Sequence, residues 1–191
     1  LRLSELRLFM AEVLDKIGNE KGADSYSIGS SSLQQLYDTL VRYRPGTTEI
    51  EPGLAAAWEV DPAGRSWTFR LRPGVRFHDG TPLDAAAVVF SFERQRDPQH
   101  PYHRGKFAYW ENAFKNIERV EAIAPLSVRI TISDRFAPFL ASMATFPVSI
   151  VSPTAVARFG DEFGDHPVGT GAYRLERWTR GERIVVVRNT D

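Results

Sequence analysis

The sequence predicts an α/β fold in which the strands of mixed sheets pack against helices. Apolar and polar residues alternate over residues 58–60 and again over 67–71, a pattern typical of β-strands. Apolar residues within 85–92 instead recur at i, i+3, i+4 and i+7, the spacing of an amphipathic helix. Residues 184–187 are continuously apolar, which suits a strand buried on both faces, like a central strand of an α/β sheet.

The composition fits a globular protein and excludes several kinds of function. The chain has 191 residues, of which 42% are hydrophobic, enough to form a buried core. Lys and Arg total 24, as do Asp and Glu, so the net charge is zero and no nucleic-acid partner is predicted. The absence of Cys excludes disulfides, thiolate metal sites and a cysteine nucleophile.

The first residues predict a helix rather than a secretory signal. Apolar residues recur at helical spacing over residues 3–17, and Gly18 provides a stop. Glu5, Arg7 and Glu12 interrupt the apolar run that a signal peptide needs. No stretch of the sequence reaches the roughly 20 apolar residues that span a bilayer.

A second helix is predicted over residues 33–43. Residues 30–32, all serine, offer N-caps for this helix, and the Pro-Gly pair at 45–46 would end it. Its apolar face, expected to pack into the core, would consist of Leu33, Leu36, Tyr37, Leu40 and Val41.

A hairpin, a tight turn and a capped helix are predicted next. The two alternating segments flank the turn sequence DPAG. Asp79 and Gly80 form a second turn, after which Asp84 is placed to cap a helix that begins at Ala85. The stretch RLRPGVRFHDGTPLDAAAVVFSFER is therefore predicted to be a strand, a turn and a helix.

The second half of the chain predicts further strands separated by helices. The sequence NIERVEAIAPLSVRITIS is predicted to form two strands about APLS. One helix is predicted to begin at Pro138 and another to run from Ser152 to Gly160, because Pro at the start and Gly at the end are typical of helix boundaries. Strands return in YRLERW and RIVVVRN, with a turn at residues 180–181.

The segment DPQHPYH carries a candidate metal site. Asp97, His100 and His103 supply a carboxylate and two imidazoles, a workable ligand set for a divalent transition metal. Pro98 and Pro101 would break any helix that aligned these three side chains. The alternative interpretation is a solvated loop.

Two other short motifs predict no chemistry. VGTGAY lacks the Lys-Ser/Thr pair of a P-loop and the third glycine of a dinucleotide-binding motif, so Gly169 and Gly171 are expected to allow close packing or an unusual backbone path. His78 and Asp79 are adjacent, so on a strand their side chains would point to opposite faces. We therefore predict no catalytic residue and no cofactor. We also predict no bound metal, because we favour the solvated loop for DPQHPYH.

An aromatic cluster offers one candidate surface for a ligand. Phe107, Tyr109, Trp110 and Phe114 lie within eight residues. Trp110 combines a large contact area with one N–H donor, which suits a ligand platform. The alternative is that the cluster belongs to the core.

The order and spacing of several motifs resemble family 5 of the extracellular solute-binding proteins, the peptide, dipeptide and nickel receptors of ABC importers. The motifs are YDTLVRY, EPGLAAAWEV, WTFRLRPGVRFHDGTPL, VVFSFER, APFLA, VGTGAYRLERW and GERIVVVRN. The resemblance runs from about Ser25 to the last residue. It implies a non-catalytic receptor that closes two lobes around a peptide or related small solute and delivers it to a membrane permease.

The resemblance also implies an architecture and a location. The fold would be that of a periplasmic binding protein with an extra small domain. Residues 1–43, whose first two dozen are atypical, and 166–191 would belong to lobe I, and residues 44–165 would form the small domain. Family chains are more than twice as long, so the second lobe is expected to be missing from these residues. The location would be periplasmic or otherwise extracytoplasmic.

Carried over to this sequence, the family's ligand-facing positions fall in three places. The candidate ligand-binding residues are Tyr26, Ser27, Ile28, Gly29, Ser30, Trp110, Phe146, Pro147, Val148 and Ser149. An extended segment at such positions can offer backbone N–H and C=O groups to a peptide. Three alternatives remain: a nickel or other metal receptor, a stand-alone lobe with a partner-binding or vestigial role, and a small hydrolase, for which no nucleophile-base pair is evident.

Overall fold

The computed structural model describes residues 35–104, 107, 110–179 and 183–190. Eight strands lie within these residues, and all of their pairings are antiparallel. They are β1 (Val41–Tyr43), β2 (Ile50–Pro52), β3 (Ala55–Val60), β4 (Ser66–Leu71), β5 (Ile117–Ala124), β6 (Ser127–Ile132), β7 (Tyr173–Thr179) and β8 (Arg183–Arg188).

Helices lie between groups of these strands. The described α-helices are α1 (Ala85–Arg96), α2 (Phe139–Ser142) and α3 (Pro153–Phe159). Trp110–Phe114 forms a π-helical turn, and Phe146–Val148 and Gly160–Asp165 form 3-10 turns. In the part of the chain that the structure describes, no helix is long and apolar enough to cross a membrane. The mixture of sheets and helices confirms the predicted α/β class.

The largest sheet is four-stranded and antiparallel, in the order β3-β4-β6-β5. Phe69 of β4 pairs with Val128 of β6, and both side chains are fully buried. Because side chains alternate along a strand, Ile130 and Ile132 point to the same buried face as Val128. Helix α1 packs against β5 and β6. The hairpin and the strand pair about APLS are therefore confirmed.

The turn and helix after β4 also form as predicted. Asp79 Oδ1 accepts a hydrogen bond from the Thr81 N–H at 3.0 Å, and Gly80 adopts a φ of 80°. Asp84 Oδ1 accepts the N–H of Ala87 at 2.8 Å and so satisfies one of the amide groups that a helix leaves unpaired at its start. Most of the predicted apolar face of α1 is buried.

Helix α3 has the predicted boundaries, and α2 begins where expected. Ser152 Oγ caps α3 by accepting the Ala155 N–H at 3.1 Å, and Gly160 ends the helix with a φ of 52°. Pro138 directly precedes α2, which ends after one turn at Ser142. The predicted helix over residues 3–17 and the turn at 180–181 lie outside the described residues.

The predicted helix over residues 33–43 is wrong in its described part. Residues 35–40 follow an irregular path, and 41–43 form strand β1. The carbonyls that a helix would use are engaged by distant donors: Leu36 O accepts from Gly171 N, and Leu40 O from Ala55 N. Leu36 and Leu40 are nevertheless buried, so the apolar spacing indicated which residues are buried but not their secondary structure.

The strand at 183–188 forms as predicted, and its burial on both faces stays a prediction. Residues 184–187 are each only half-buried. In the described part of the chain β8 pairs with β7 in a two-stranded sheet and has no second neighbour.

Candidate functional site

Loop 168–171 packs directly on the backbone of residues 35–36. A Cβ added at Gly169 would lie 2.2 Å from the Leu36 carbonyl oxygen, and one at Gly171 would lie 2.3 Å from that of Gln35. No larger residue fits at such separations unless the backbone moves. The expectation that these two glycines serve close packing is confirmed.

Hydrogen bonds hold the same two segments together. Gly171 N–H donates to Leu36 O at 3.0 Å, and Tyr173 N–H donates to Gln35 O at 3.2 Å. Thr170 Oγ1 donates to the Asp38 carboxylate at 2.8 Å. Segment 35–38 is therefore fixed by a loop more than 130 residues away in sequence.

His78 connects the turn after β4 to this loop. Its backbone N–H donates to Gly169 O at 2.9 Å. The ring Nε2–H donates to Gly171 O at 3.0 Å, and Nδ1 accepts the Gly169 N–H at 3.4 Å. Burial lowers the pKa of His78, although its bond to the Gly171 carbonyl acts in the opposite direction.

Segment 35–38, His78 and loop 168–171 together form a junction between distant parts of the chain. Asp79 extends this junction to helix α3. The hydroxyl of Ser152, the α3 N-cap, donates to Asp79 Oδ2 at 2.5 Å. Burial acts to raise the pKa of Asp79, but hydrogen bonds from Ser152 and Thr81 outweigh it and hold the pKa below its usual value. Turn formation by Asp79 was predictable, whereas its bond to Ser152 had no sequence signal.

The candidate segment Phe146–Ser149 lies against residues 37–38. The Phe146 ring meets the Tyr37 ring edge-on, with centroids 6.3 Å apart. Ile150 N–H donates to Asp38 O at 3.0 Å, which pins the end of the segment. Val148 is 1% exposed, and Ser149 Oγ donates to Phe146 O at 2.7 Å. These contacts hold the backbone of the segment beside residues 37–38.

The other candidates are placed differently. Tyr26 to Ser30 lie outside the described residues. Trp110 is 6% exposed and packs in the core, with ring centroids 5.9 Å from Phe92 and 5.5 Å from Phe114. These contacts correspond to the alternative interpretation, in which the aromatic cluster belongs to the core. The structure does not bring Trp110 into the Tyr37–Phe146 contact.

The candidate metal ligands have other partners. The Nδ1–H of His103 donates to Arg94 O at 3.1 Å. His100 packs edge-on against Phe90 at 5.1 Å, and Asp97 Oδ1 accepts the Gln99 N–H at 2.9 Å. No group of three or more candidate ligands occurs among the residues that the structure describes.

An open cavity of about 530 Å³ lies between α3 and β7, next to the His78 junction. Its lining carries charges of both signs, from Asp79, Arg158, Arg174 and Glu176, on otherwise mainly apolar walls. Such a lining selects no single class of ligand, and none of the predicted binding residues that the structure describes lines this cavity.

Comparison with known proteins decides the family. Residues 49–191 match the family of bacterial extracellular solute-binding proteins, family 5, middle region. The chain belongs to this family. The fold of this chain resembles that of the periplasmic binding protein DppA from Helicobacter pylori, solved with the peptide STSA. The TM-score is 0.78 at 36% identity, over 85% of this chain and 35% of DppA.

Curated relatives of this chain are named for different solutes. It is 35% identical to di/tripeptide-binding protein 4 of Pseudomonas aeruginosa, over 84% of this chain and 33% of that protein. It is 39% identical to heme-binding protein A of Haemophilus influenzae, over 75% of this chain and 29% of that protein. The chain therefore spans about a third of the length of these relatives.

Proposed function

We propose that this solute-binding protein is part of the receptor of an ABC importer for peptides or a related small solute. Family membership supports the receptor role, and a peptide-binding relative and a neighbour solved with a peptide support the solute class. The main observation behind the proposal is the backbone at 146–150, which is held against residues 37–38 by the Tyr37–Phe146 contact and by the hydrogen bond from Ile150 N–H to Asp38 O. Preformed backbone of this kind suits recognition of a peptide main chain.

The proposed binding wall consists of Tyr26 to Ser30 and Phe146 to Ser149. Phe146 is half-buried, so part of its ring stays available to a ligand while the rest packs on Tyr37. For Trp110 the proposal requires contact through the 6% of its surface that remains exposed. Trp110 therefore contributes less contact area than Phe146 in this proposal.

The proposed organisation places residues 1–43 and 166–191 in one lobe and 44–165 in a small domain. The hydrogen bonds from Gly171 to Leu36 and from Tyr173 to Gln35 support the grouping of the first and last parts. In a protein of the relatives' length, a second lobe would close on the solute, and binding would shift the population toward the closed form. We propose that the protein is not catalytic. It would be located in the periplasm and would deliver its solute to a membrane permease.

The first experiment is the intact mass of the mature protein from its native source. A mass well above the 21.5 kDa of these 191 residues is expected, because a receptor needs both lobes. A mass near 21.5 kDa would contradict the transport proposal and favour a partner-binding or vestigial role.

Calorimetry with di- and tripeptides then tests the site. We expect the 191-residue chain to bind weakly or not at all, because one wall of a cleft encloses little of a ligand. Micromolar affinity of this chain for a short peptide would contradict the two-lobed mechanism. Nickel retention tests the metal alternative, which would be contradicted if replacing His100 and His103 by Ala left the retention of nickel unchanged.

A matched pair of variants in the mature native-source protein tests the proposed wall. Phe146→Ala is expected to weaken peptide binding about tenfold or more, as loss of a buried aromatic contact commonly does. Phe136→Ala is the control, since Phe136 is 38% exposed and lies outside the proposed wall. Equal effects of the two substitutions on the dissociation constant would contradict the role of Phe146.

A further inference from the structure

The His78 ring has both of its nitrogens committed to the backbone of loop 168–171. Nε2–H donates to the Gly171 carbonyl, and Nδ1 accepts from the Gly169 amide. The His78 backbone donates to the same loop through Gly169 O. Three hydrogen bonds thus converge from one residue onto two glycines that allow no larger side chain.

This arrangement requires a neutral imidazole. A carbonyl oxygen can only accept, so Nε2 must carry a proton; an amide N–H can only donate, so Nδ1 must be bare. Protonation of Nδ1 would turn an acceptor into a donor that faces another donor. The Gly169 N–H would then lose its partner, while the bond to Gly171 would remain possible.

We propose that His78 is a pH-sensitive latch between the turn after β4 and loop 168–171. With a neutral ring the latch is closed, and with a protonated ring the Gly169 amide is released. Because Thr170 of the loop holds Asp38, and Asp38 O holds Ile150 N–H, the latch secures the loop that supports the 146–150 backbone.

Three charged groups influence the pKa of the His78 ring. The carboxylates of Asp38, on segment 35–38, and of Asp79, in the turn itself, favour the protonated form. Arg174 of β7 favours the neutral form. Burial is the largest influence on the pKa of His78 and keeps it below the ordinary value of 6.5.

The direction of the pH effect follows because burial outweighs the other influences on the pKa of His78. The unfolded chain takes up a proton on His78 near pH 6.5, whereas the folded chain takes it up only at lower pH. Acidification from about pH 6.5 down to the folded-state pKa therefore favours unfolding, and the latch closes as the pH rises through the folded-state pKa. The latch belongs to the class of histidine switches that work near neutral pH.

Nuclear magnetic resonance of the 191-residue chain tests the latch directly. Ring nitrogen shifts should show the Nε2–H tautomer at high pH and a titration midpoint below 6.5. After correction for its intrinsic pH dependence, hydrogen exchange of the Gly169 amide should be roughly tenfold faster one pH unit below the midpoint than one unit above.

Two variants sharpen the assignment. His78→Gln keeps a donor and an acceptor but cannot titrate, so acid should no longer accelerate Gly169 exchange. His100→Gln is the matched control, because burial also lowers the pKa of His100 while its ring packs on Phe90 and Tyr102. In His100→Gln, the pH dependence of hydrogen exchange at the Gly169 amide should match that of the unaltered chain.

Three outcomes would overturn the proposal. They are an Nδ1–H tautomer at high pH, a midpoint at or above 6.5, and Gly169 protection that persists through the titration of His78. If His78→Gln did not fold, the titration of the unaltered chain would still decide between these results and the expected ones. None of these measurements depends on which solute the protein binds.

Discussion

In the sheet of β3 to β6 with α1, buried apolar side chains make the contacts, whereas around loop 168–171 hydrogen bonds between distant segments make them. Phe69 and Val128 pair across the sheet with no exposed surface. At the junction Asp38, His78 and Thr170 join three separate stretches of chain. Local sequence patterns therefore describe the sheet region well and the junction poorly.

The largest effect is expected in the sheet region, from Phe69→Ala. Phe69 is fully buried in the core cluster, so its removal leaves a cavity and should lower the free energy of unfolding by about 3–5 kcal/mol. Ile123→Ala is the control, because Ile123 is 43% exposed and a surface change should stay within about 0.5 kcal/mol. Denaturant unfolding monitored by circular dichroism measures both. A loss below about 1 kcal/mol for Phe69→Ala would mean that burial does not dominate here.

At the junction the largest effect is expected from Gly169→Ala. The added Cβ would lie 2.2 Å from Leu36 O and 2.5 Å from the Tyr37 ring, so the backbone must shift at a cost of about 1–3 kcal/mol. Gly164→Ala is the matched control, since nothing lies within 4 Å of its added Cβ, and it should be neutral or stabilise by up to about 1 kcal/mol. Equal unfolding midpoints for the two variants would show that the close packing of loop 168–171 has no energetic weight.

The sequence predicted the sheet region because its signals are local. Alternation identified β3 and β4, the Asp-Gly pair identified a turn, and Asp84 identified the start of α1. Each of these devices acts within four residues of its own position, as the bond from Ala87 N–H to Asp84 shows. No information from elsewhere in the chain was needed.

The junction could not be predicted in the same way. Leu36 and Leu40 have helical spacing, yet Gly171 and Ala55 engage their carbonyls from far along the chain. Tertiary contacts of this kind override the local periodicity. The glycines at 169 and 171 were recognised as packing residues, but no sequence signal showed that Gln35 and Leu36 pack on them.

The candidate site shows the same division. The motif resemblance selected Phe146–Ser149 by position, and the structure shows this segment to be held by Asp38 and Tyr37. The partners were not predictable, since a bond between Asp38 and Ile150 leaves no trace in either local sequence. For Trp110, clustering of aromatic residues could not distinguish a platform from the core in which it lies.

A helix cap in each region gives a smaller and more direct comparison. Asp84→Ala should cost α1 about 1 kcal/mol through loss of its cap. Ser152→Ala should cost more, up to about 2 kcal/mol, because the Ser152 hydroxyl caps α3 and also donates to Asp79. Unfolding titrations at neutral pH measure both. Asp84→Ser provides the control, as it retains a capping oxygen and should recover most of the loss.

A Ser152→Ala effect no larger than that of Asp84→Ala would contradict the double role of Ser152. It would mean that the bond to Asp79 adds nothing to the stability of the junction. The two regions would then differ in the sequence separation of their contacts but not in how strongly a single polar side chain supports each of them.

The smallest effect is expected from the ionisation of Asp79. Its pKa lies below the ordinary 3.8, because hydrogen bonds from Ser152 and Thr81 to the ionised carboxylate outweigh burial, which acts in the opposite direction. A depressed pKa of an acid stabilises the fold above the unfolded value, so this contribution is present above about pH 4 and is lost as the pH falls through the folded-state value. Asp79→Asn should therefore reduce the acid-induced loss of stability.

Asp61, in the sheet region, is the natural comparison for Asp79. Its pKa is also lowered, by the backbone N–H groups of Ser66 and Arg65, which donate to Oδ1 at 2.9 and 2.7 Å. The Asp61 partners are local, so Ser152→Ala should raise the pKa of Asp79 and leave that of Asp61 unchanged. Carboxyl carbon shifts followed through an acid titration measure both. If the two aspartates moved together, the long-range bond from Ser152 would not be what holds the Asp79 pKa down, and the distinction between a locally and a distantly supported turn would fail at this residue.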